Sequence, residues 1–164
     1  MTGTGVGASV KRKEDQRYLT GKGQYTDDIN MKAQSYAYFV RSPHAHATIK
    51  SINTKKAAAM PGVLGVFTGE HVKEDKIGGL ICGWAITSKD GSAMKAGPHP
   101  ILADGKVRYV GDHVAVVVAE TKEQAKAAAA LVDVKYAVLP HNVDAGKAMG
   151  GKAQVHDVAA DNRV

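Results

Sequence analysis

The stretch from His113 to Val138 constrains the fold more than any other part of the chain. Val114, Ala115, Val116, Val117 and Val118 follow one another without a polar residue, a run apolar on both faces that belongs in the middle of a sheet. Thr121 and Gln124 have the spacing of a capping box, in which each side chain satisfies a free backbone N–H at a helix start. Ala125, Ala128, Ala129 and Val132 then stand at i, i+3, i+4 and i+7, a narrow stripe of small side chains that lets a helix lie close against a sheet. Val134, Tyr136 and Val138 alternate with Asp133 and Lys135 as a half-buried strand does. The succession predicts a β-α-β unit over about 113–138 with the usual right-handed crossover.

Upstream, Gln34 to Arg41 is rich in aromatic and β-branched residues, with Tyr36, Tyr38 and Val40 on one expected core face. Ala45 to Asn53 reads as a second strand, Thr54 as the cap of a short Ala-rich helix over Lys55 to Met60, and Pro61-Gly62 as its stop. Val63 to Phe67 is a further strand. Strand, Thr-Lys, alanine helix and strand thus occur twice, at Thr54-Lys55 and at Thr121-Lys122, a weak internal echo that chance explains as well as duplication. Residues 69–99 carry Gly78, Gly79, Gly83, Gly91 and Gly97 among polar residues and read as a long surface excursion. Lys106 to Val110 and a Gly111-Asp112 turn lead into the central strand. The fold class is α+β, a mixed sheet with a few packed helices.

With 164 residues, 44% hydrophobic and 23% charged, the chain is long enough to bury a core and is not disordered in composition. No apolar run reaches the roughly 18 residues of a membrane span. No secretory signal is visible, and the single Cys82 excludes an internal disulfide and any multi-cysteine metal site in this chain. A cytoplasmic, reducing setting is the expectation. The net charge of +6 lies in the first 60 residues, which hold ten basic against four acidic side chains, while the remaining 104 balance at twelve each. A basic segment can serve nucleic acid or an acidic protein, and a solvated face is the plainer reading. The few aromatics, with Tyr36 and Tyr38 expected in the core, speak against nucleic acid.

The candidate chemistry is sparse. His44 and His46, two apart on an expected strand, point the same way and could share a metal, yet no Cys, Asp or Glu lies within ten residues to complete the site. Gly146 to Lys152 has P-loop spacing, but Ala153 stands where Ser or Thr must hold magnesium. Gly3, Gly5 and Gly7 have no strand before them and belong to a flexible arm. Cys82 has no base visible beside it, and Asp27-Asp28 fits a turn or cap better than a carboxylate pair. No nucleophile, base and orienting group come together, so the residues describe a scaffold or interaction module.

Several segments together resemble one family, the N-terminal α/β hammerhead domain of the large subunit of molybdenum hydroxylases. Those enzymes are xanthine dehydrogenase, aldehyde oxidase and carbon monoxide dehydrogenase. The matching stretches are Gly21 to Asp28, Arg41-Ser42-Pro43-His44-Ala45-His46-Ala47 through Ile52, Pro61-Gly62-Val63, Val107 to Ala119, and Ala125 through Tyr136 to Leu139-Pro140. The opening Gly5-Val6-Gly7 with Lys11 to Asp15 looks most like the carbon monoxide dehydrogenase branch. Lys32-Ala33, Asn53 and Asp112-His113 depart from the common pattern at positions without chemistry.

The resemblance implies an extended basic arm over 1–20, a hammerhead domain over 21–150, and a tail over 151–164 leading to absent molybdenum-binding domains. In the family the pterin-gripping loops and the catalytic glutamate lie in later domains. No catalytic, cofactor or metal residue is therefore carried onto this chain, which would be a fragment, a truncated chain or part of a split subunit. The implied holoenzyme holds molybdopterin in its cytosine dinucleotide form, [2Fe-2S] clusters and FAD. Its partners would be the remaining molybdenum-binding domains, a small iron–sulfur subunit and a flavin subunit, with no nucleic acid and no membrane. Lys11, Arg12, Lys13, Arg41, Ser42, His44 and His46 are the expected partner contacts.

Overall fold

The computed structural model describes residues 5–151 and 153–163, so the readings at Gly3 and Lys152 lie outside the described residues. The chain divides into two compact units, residues 1–34 and 35–164. In the first, α1 (Asp15–Leu19) gives helical structure where an extended arm was expected to run to residue 20. A 3-10 turn follows at Thr26–Asp28, where the Asp28 carboxylate accepts the Tyr25 N–H at 2.9 Å, the capping role expected of the Asp27-Asp28 pair.

The second unit holds β1 (Tyr36–Arg41), β2 (Ala47–Asn53), α2 (Lys55–Ala58), β3 (Val63–Thr68), α3 (Gly69–Glu74), β4 (Lys106–Val107), β5 (His113–Ala119), α4 (Lys122–Ala129), β6 (Asp133–Val138) and α5 (Ala145–Ala148). Its strands form two three-stranded sheets, ordered β1-β5-β3 and β4-β2-β6, and every pairing is antiparallel. The expected right-handed crossover is absent among the described strands. Strand, helix and strand over 113–138 are present, but β5 and β6 lie in different sheets instead of side by side. A strand–helix–strand succession fixes the order of elements, whereas pairing is decided by partners far away in the sequence.

The internal echo becomes topology. If β1, β2 and β3 are exchanged for β4, β5 and β6, the first sheet order turns into the second. Each half lends its second strand to the centre of the other half's sheet. The fully apolar run Val114–Val118 is the middle strand of the first sheet, as its two-faced character requires.

Each sheet has its own core. Val117 packs with Ala57, Ala128 and Ala129, flanked by Val40, Met60, Val63 and Val132. Ala47, Ala103, Val107 and Val114 form the other cluster, with Ile49, Ile52, Val134 and Tyr136 against it. The capping box of α4 is present, the Gln124 N–H donating to Thr121 Oγ1 at 3.2 Å and the Thr121 N–H to Gln124 Oε1 at 3.0 Å. Thr54 is the N-cap residue of α2 as expected, but the side-chain oxygen that bonds the helix start is Asn53 Oδ1, which accepts the Lys55 N–H at 3.1 Å.

Two strand faces differ from expectation. Tyr38 is exposed and lines a groove along β1 whose other wall includes Lys126 and Ala129 of α4 and the following Ala130. Val138 is likewise exposed at the end of β6. Between α3 and β4 the chain is irregular apart from one bridge, Thr87 with Ala93, as the glycine scatter predicts.

Candidate functional site

Of the polar residues that the sequence singles out, Arg41, Ser42, His44 and His46 lie where the two halves interlock. The β1–β2 connection and the β4–β5 connection occupy equivalent places in the two halves, and they bond to each other. The Ser42 N–H donates to the Asp112 carbonyl and the Gly111 N–H to the Ser42 carbonyl, both at 2.8 Å. Gly111 has φ +92, a left-handed conformation that glycine adopts without steric cost. The Arg41 guanidinium donates to the Gly111 carbonyl at 3.2 Å. Ser42 Oγ donates to the His44 carbonyl at 2.9 Å and accepts the His44 N–H at 3.0 Å, closing the turn. The Asp112 carboxylate accepts the Arg108 N–H at 3.0 Å.

His44 and His46 stand in this turn and not on a strand, so the shared direction expected of the pair is absent. The His44 ring meets Tyr136 edge-on at 5.0 Å. His46 is buried, and its Nδ1 lies 2.8 Å from the Pro140 carbonyl, which fixes that nitrogen as the donor because a carbonyl only accepts. The His46 carbonyl in turn accepts the Leu139 N–H at 2.9 Å. His46 thus ties the start of β2 to the segment after β6. Among the described residues no group of three or more His, Cys, Asp or Glu could hold a metal ion.

The titratable neighbours respond to burial. Burial holds the Tyr136 hydroxyl above the ordinary tyrosine range, with the nearby Asp112 charge adding to it and a Ser42 hydrogen bond opposing. Tyr109 is raised by burial and by the Asp112 carboxylate. His156 is held below the ordinary imidazole range by burial first, then by the charges of Arg108, His99 and His46, against the pull of Asp157. His46 Nε2, Arg108 Nε and His156 Nδ1 are buried with no hydrogen-bond partner among the described residues.

A depressed histidine binds its proton more readily in the unfolded chain. The contribution of His156 is therefore complete above its unfolded value of 6.5 and is lost as the pH falls through the lower folded value. The melting temperature should drop between pH 7.5 and pH 5, and His156→Gln should flatten that slope. An equally steep slope in the variant would contradict the assignment.

Of the seven expected contact residues, Lys11, Arg12, Lys13 and Arg41 are exposed and His44 is half-buried. Ser42 and His46 are buried and spend their hydrogen bonds inside the domain, so the surface of that segment is Arg41, Pro43 and His44. Asp112 is the residue that sequence reasoning passed over. Its signal was its place in a tight turn directly before the most buried strand. Asp144 caps α5 by accepting the Gly146 and Lys147 N–H groups, so the start of the glycine–lysine run lies in a helical turn.

The polar cluster thus joins segments of the two halves. Residues 20–140 match the family described as aldehyde oxidase and xanthine dehydrogenase, a/b hammerhead domain. The chain belongs to that family. The hammerhead chain is 38% identical over 157 residues to the nicotine 6-hydroxylase large subunit of Paenarthrobacter nicotinovorans, covering 96% of this chain and 18% of that protein. It is 40% identical over 145 residues to the carbon monoxide dehydrogenase large chain of Afipia carboxidovorans, covering 88% of this chain and 17% of that one.

Among solved structures, quinoline 2-oxidoreductase from Pseudomonas putida 86 superposes with a TM-score of 0.80 at 37% identity, over 93% of this chain and 19% of that one. The hammerhead chain therefore spans less than a fifth of the length of these relatives. It corresponds to one domain of such large subunits. Among the described residues no helix is long and apolar enough to cross a membrane.

Proposed function

We propose that this hammerhead chain is a structural and assembly module of a molybdenum hydroxylase large subunit, without a complete active site of its own. One observation carries the reading: a single domain that aligns over 88–96% of this chain occupies only 17–18% of relatives named as large subunits of oxidoreductases. The polar residues that could have been chemical are used to lock its two halves together.

By this reading the holoenzyme hydroxylates an aldehyde, N-heterocycle or similar carbon, or oxidises carbon monoxide. Molybdopterin in the cytosine dinucleotide form, [2Fe-2S] clusters and FAD would be held by the remaining molybdenum-binding domains, a small iron–sulfur subunit and a flavin subunit. The setting is cytoplasmic, consistent with the lone, exposed Cys82. Such cofactors would supply the oxidation and the electron path. This chain's residues supply folded surface.

The purified chain should carry no molybdopterin and reduce no dye with an aldehyde or N-heterocycle as substrate. Stoichiometric pterin, or turnover, would overturn the reading. Lys11, Arg12 and Lys13 are exposed and, with Arg41 and His44, form the proposed partner contacts. Reversing the three cations to glutamate should cut co-purification with the other subunits several-fold at low salt, the effect fading as salt screens it. Unchanged recovery at low salt would remove these residues from the interface.

A further inference from the structure

The excursion between α3 and β4 carries a feature that the interlocked halves do not explain. Ile81 is 93% exposed and Trp84 is 86% exposed, and Ile77, Leu80 and Ile86 also lie open within the same ten residues. Such a concentration of large apolar side chains on one loop marks an interaction surface, because an isolated domain gains nothing by holding them in water. Next to them is an open cavity of about 610 Å³ whose walls include Leu80, Ile81, Lys95, His99 and His156. Among the described residues no carboxylate lines it. Asp90 acts on Lys95 from the adjoining side, and Asp157, next to His156, pairs with Lys106 at 3.3 Å. The cavity thus joins apolar walls to cationic or hydrogen-bonding groups, and His156 Nδ1 has no hydrogen-bond partner among the described residues.

We propose that this loop and cavity receive the rest of the large subunit, as a segment that brings an apolar side chain onto Ile81 and Trp84 and a carboxylate toward Lys95 and His99. The inference rests on the assembly reading above and names its surface. Two observations choose this occupant. The relatives extend over five times the length matched here, so most of a large subunit lies beyond this domain. The described lining joins apolar walls to Lys95 and two imidazoles without a carboxylate, which is complementary to an acidic, apolar segment.

The test combines the chain with a polypeptide carrying the part of the Afipia carboxidovorans large chain that it does not span. Cys82 lies in the cavity wall and is exposed, so its thiol reports coverage directly. Labelling of Cys82 by an aromatic disulfide should slow at least tenfold in the complex. Trp84→Asp and Lys95→Glu, both at exposed positions, should each weaken association at least tenfold with the melting temperature of the free chain unchanged, while Lys135→Glu on β6 leaves it intact. A complex in which Cys82 stays reactive and both variants bind like the parent overturns this surface and leaves the assembly reading standing. Absence of any complex overturns both. A dimer of the chain alone that shields Cys82 and is dissolved by Trp84→Asp assigns the surface to a second copy and overturns the proposal.

Discussion

Residues 35–76 expressed alone are expected to be unfolded, with a random-coil circular dichroism spectrum and no dispersed amide resonances. This piece keeps β1, β2 and β3 but loses β4, β5 and β6. Every described pairing of β1 and β3 is to β5, and every described pairing of β2 is to β4 or β6. No sheet survives the cut, and unpaired strands of six or seven residues have no stability of their own. Mixed with residues 100–164, the piece should regain sheet structure, because each half supplies the other's central strand. A folded 35–76 would show that the interlocked topology is wrong.

Val117→Asp is expected to cost about 3–5 kcal/mol, the scale of an uncompensated buried charge. Val117 is fully buried on the middle strand β5, surrounded by Ala57, Ala128, Ala129 and Val63, none of which can solvate a carboxylate. Against a typical stability of about 5–15 kcal/mol for a domain, this removes most of the margin. Urea titration should show the midpoint collapse at neutral pH and recover partly in mild acid, where the carboxyl is neutral. A Val117→Asp chain as stable as its parent would mean that α4 does not cover β5 as described.

Strand positions were legible because alternation and β-branched runs are local signals, as at Val114–Val118 and Thr48–Ile52. The partners of those strands were not, since β2 meets β6 across more than eighty residues and nothing within either strand names the other. α3 escaped notice because it begins at a glycine, runs for six residues, and closes its first turn with His71 instead of Glu or Gln. The repeat of Thr-Lys before an alanine helix looked accidental at Thr54 and Thr121, and only the strand exchange gives it meaning. Tyr38 differs from expectation since alternation gives a face but not what covers it, and here the face borders an open groove.

The polar cluster was half legible. The resemblance points to the segment from Arg41 to Ala47, where the structure places His44 against Tyr136 and His46 against the Pro140 carbonyl. What the sequence could not show is that Ser42 faces Gly111 and Asp112, a contact seventy residues away made by two turns in equivalent places. Local pattern thus reaches the elements and the resemblance reaches the family, while the join between halves is made by residues far apart in the sequence.

The most direct measurement is sedimentation of the purified chain mixed in equal amounts with the polypeptide that carries the remainder of a relative's large chain. The account predicts a single one-to-one species, formed by a domain that was already folded before mixing. Two components that sediment independently at concentrations of tens of micromolar would contradict it.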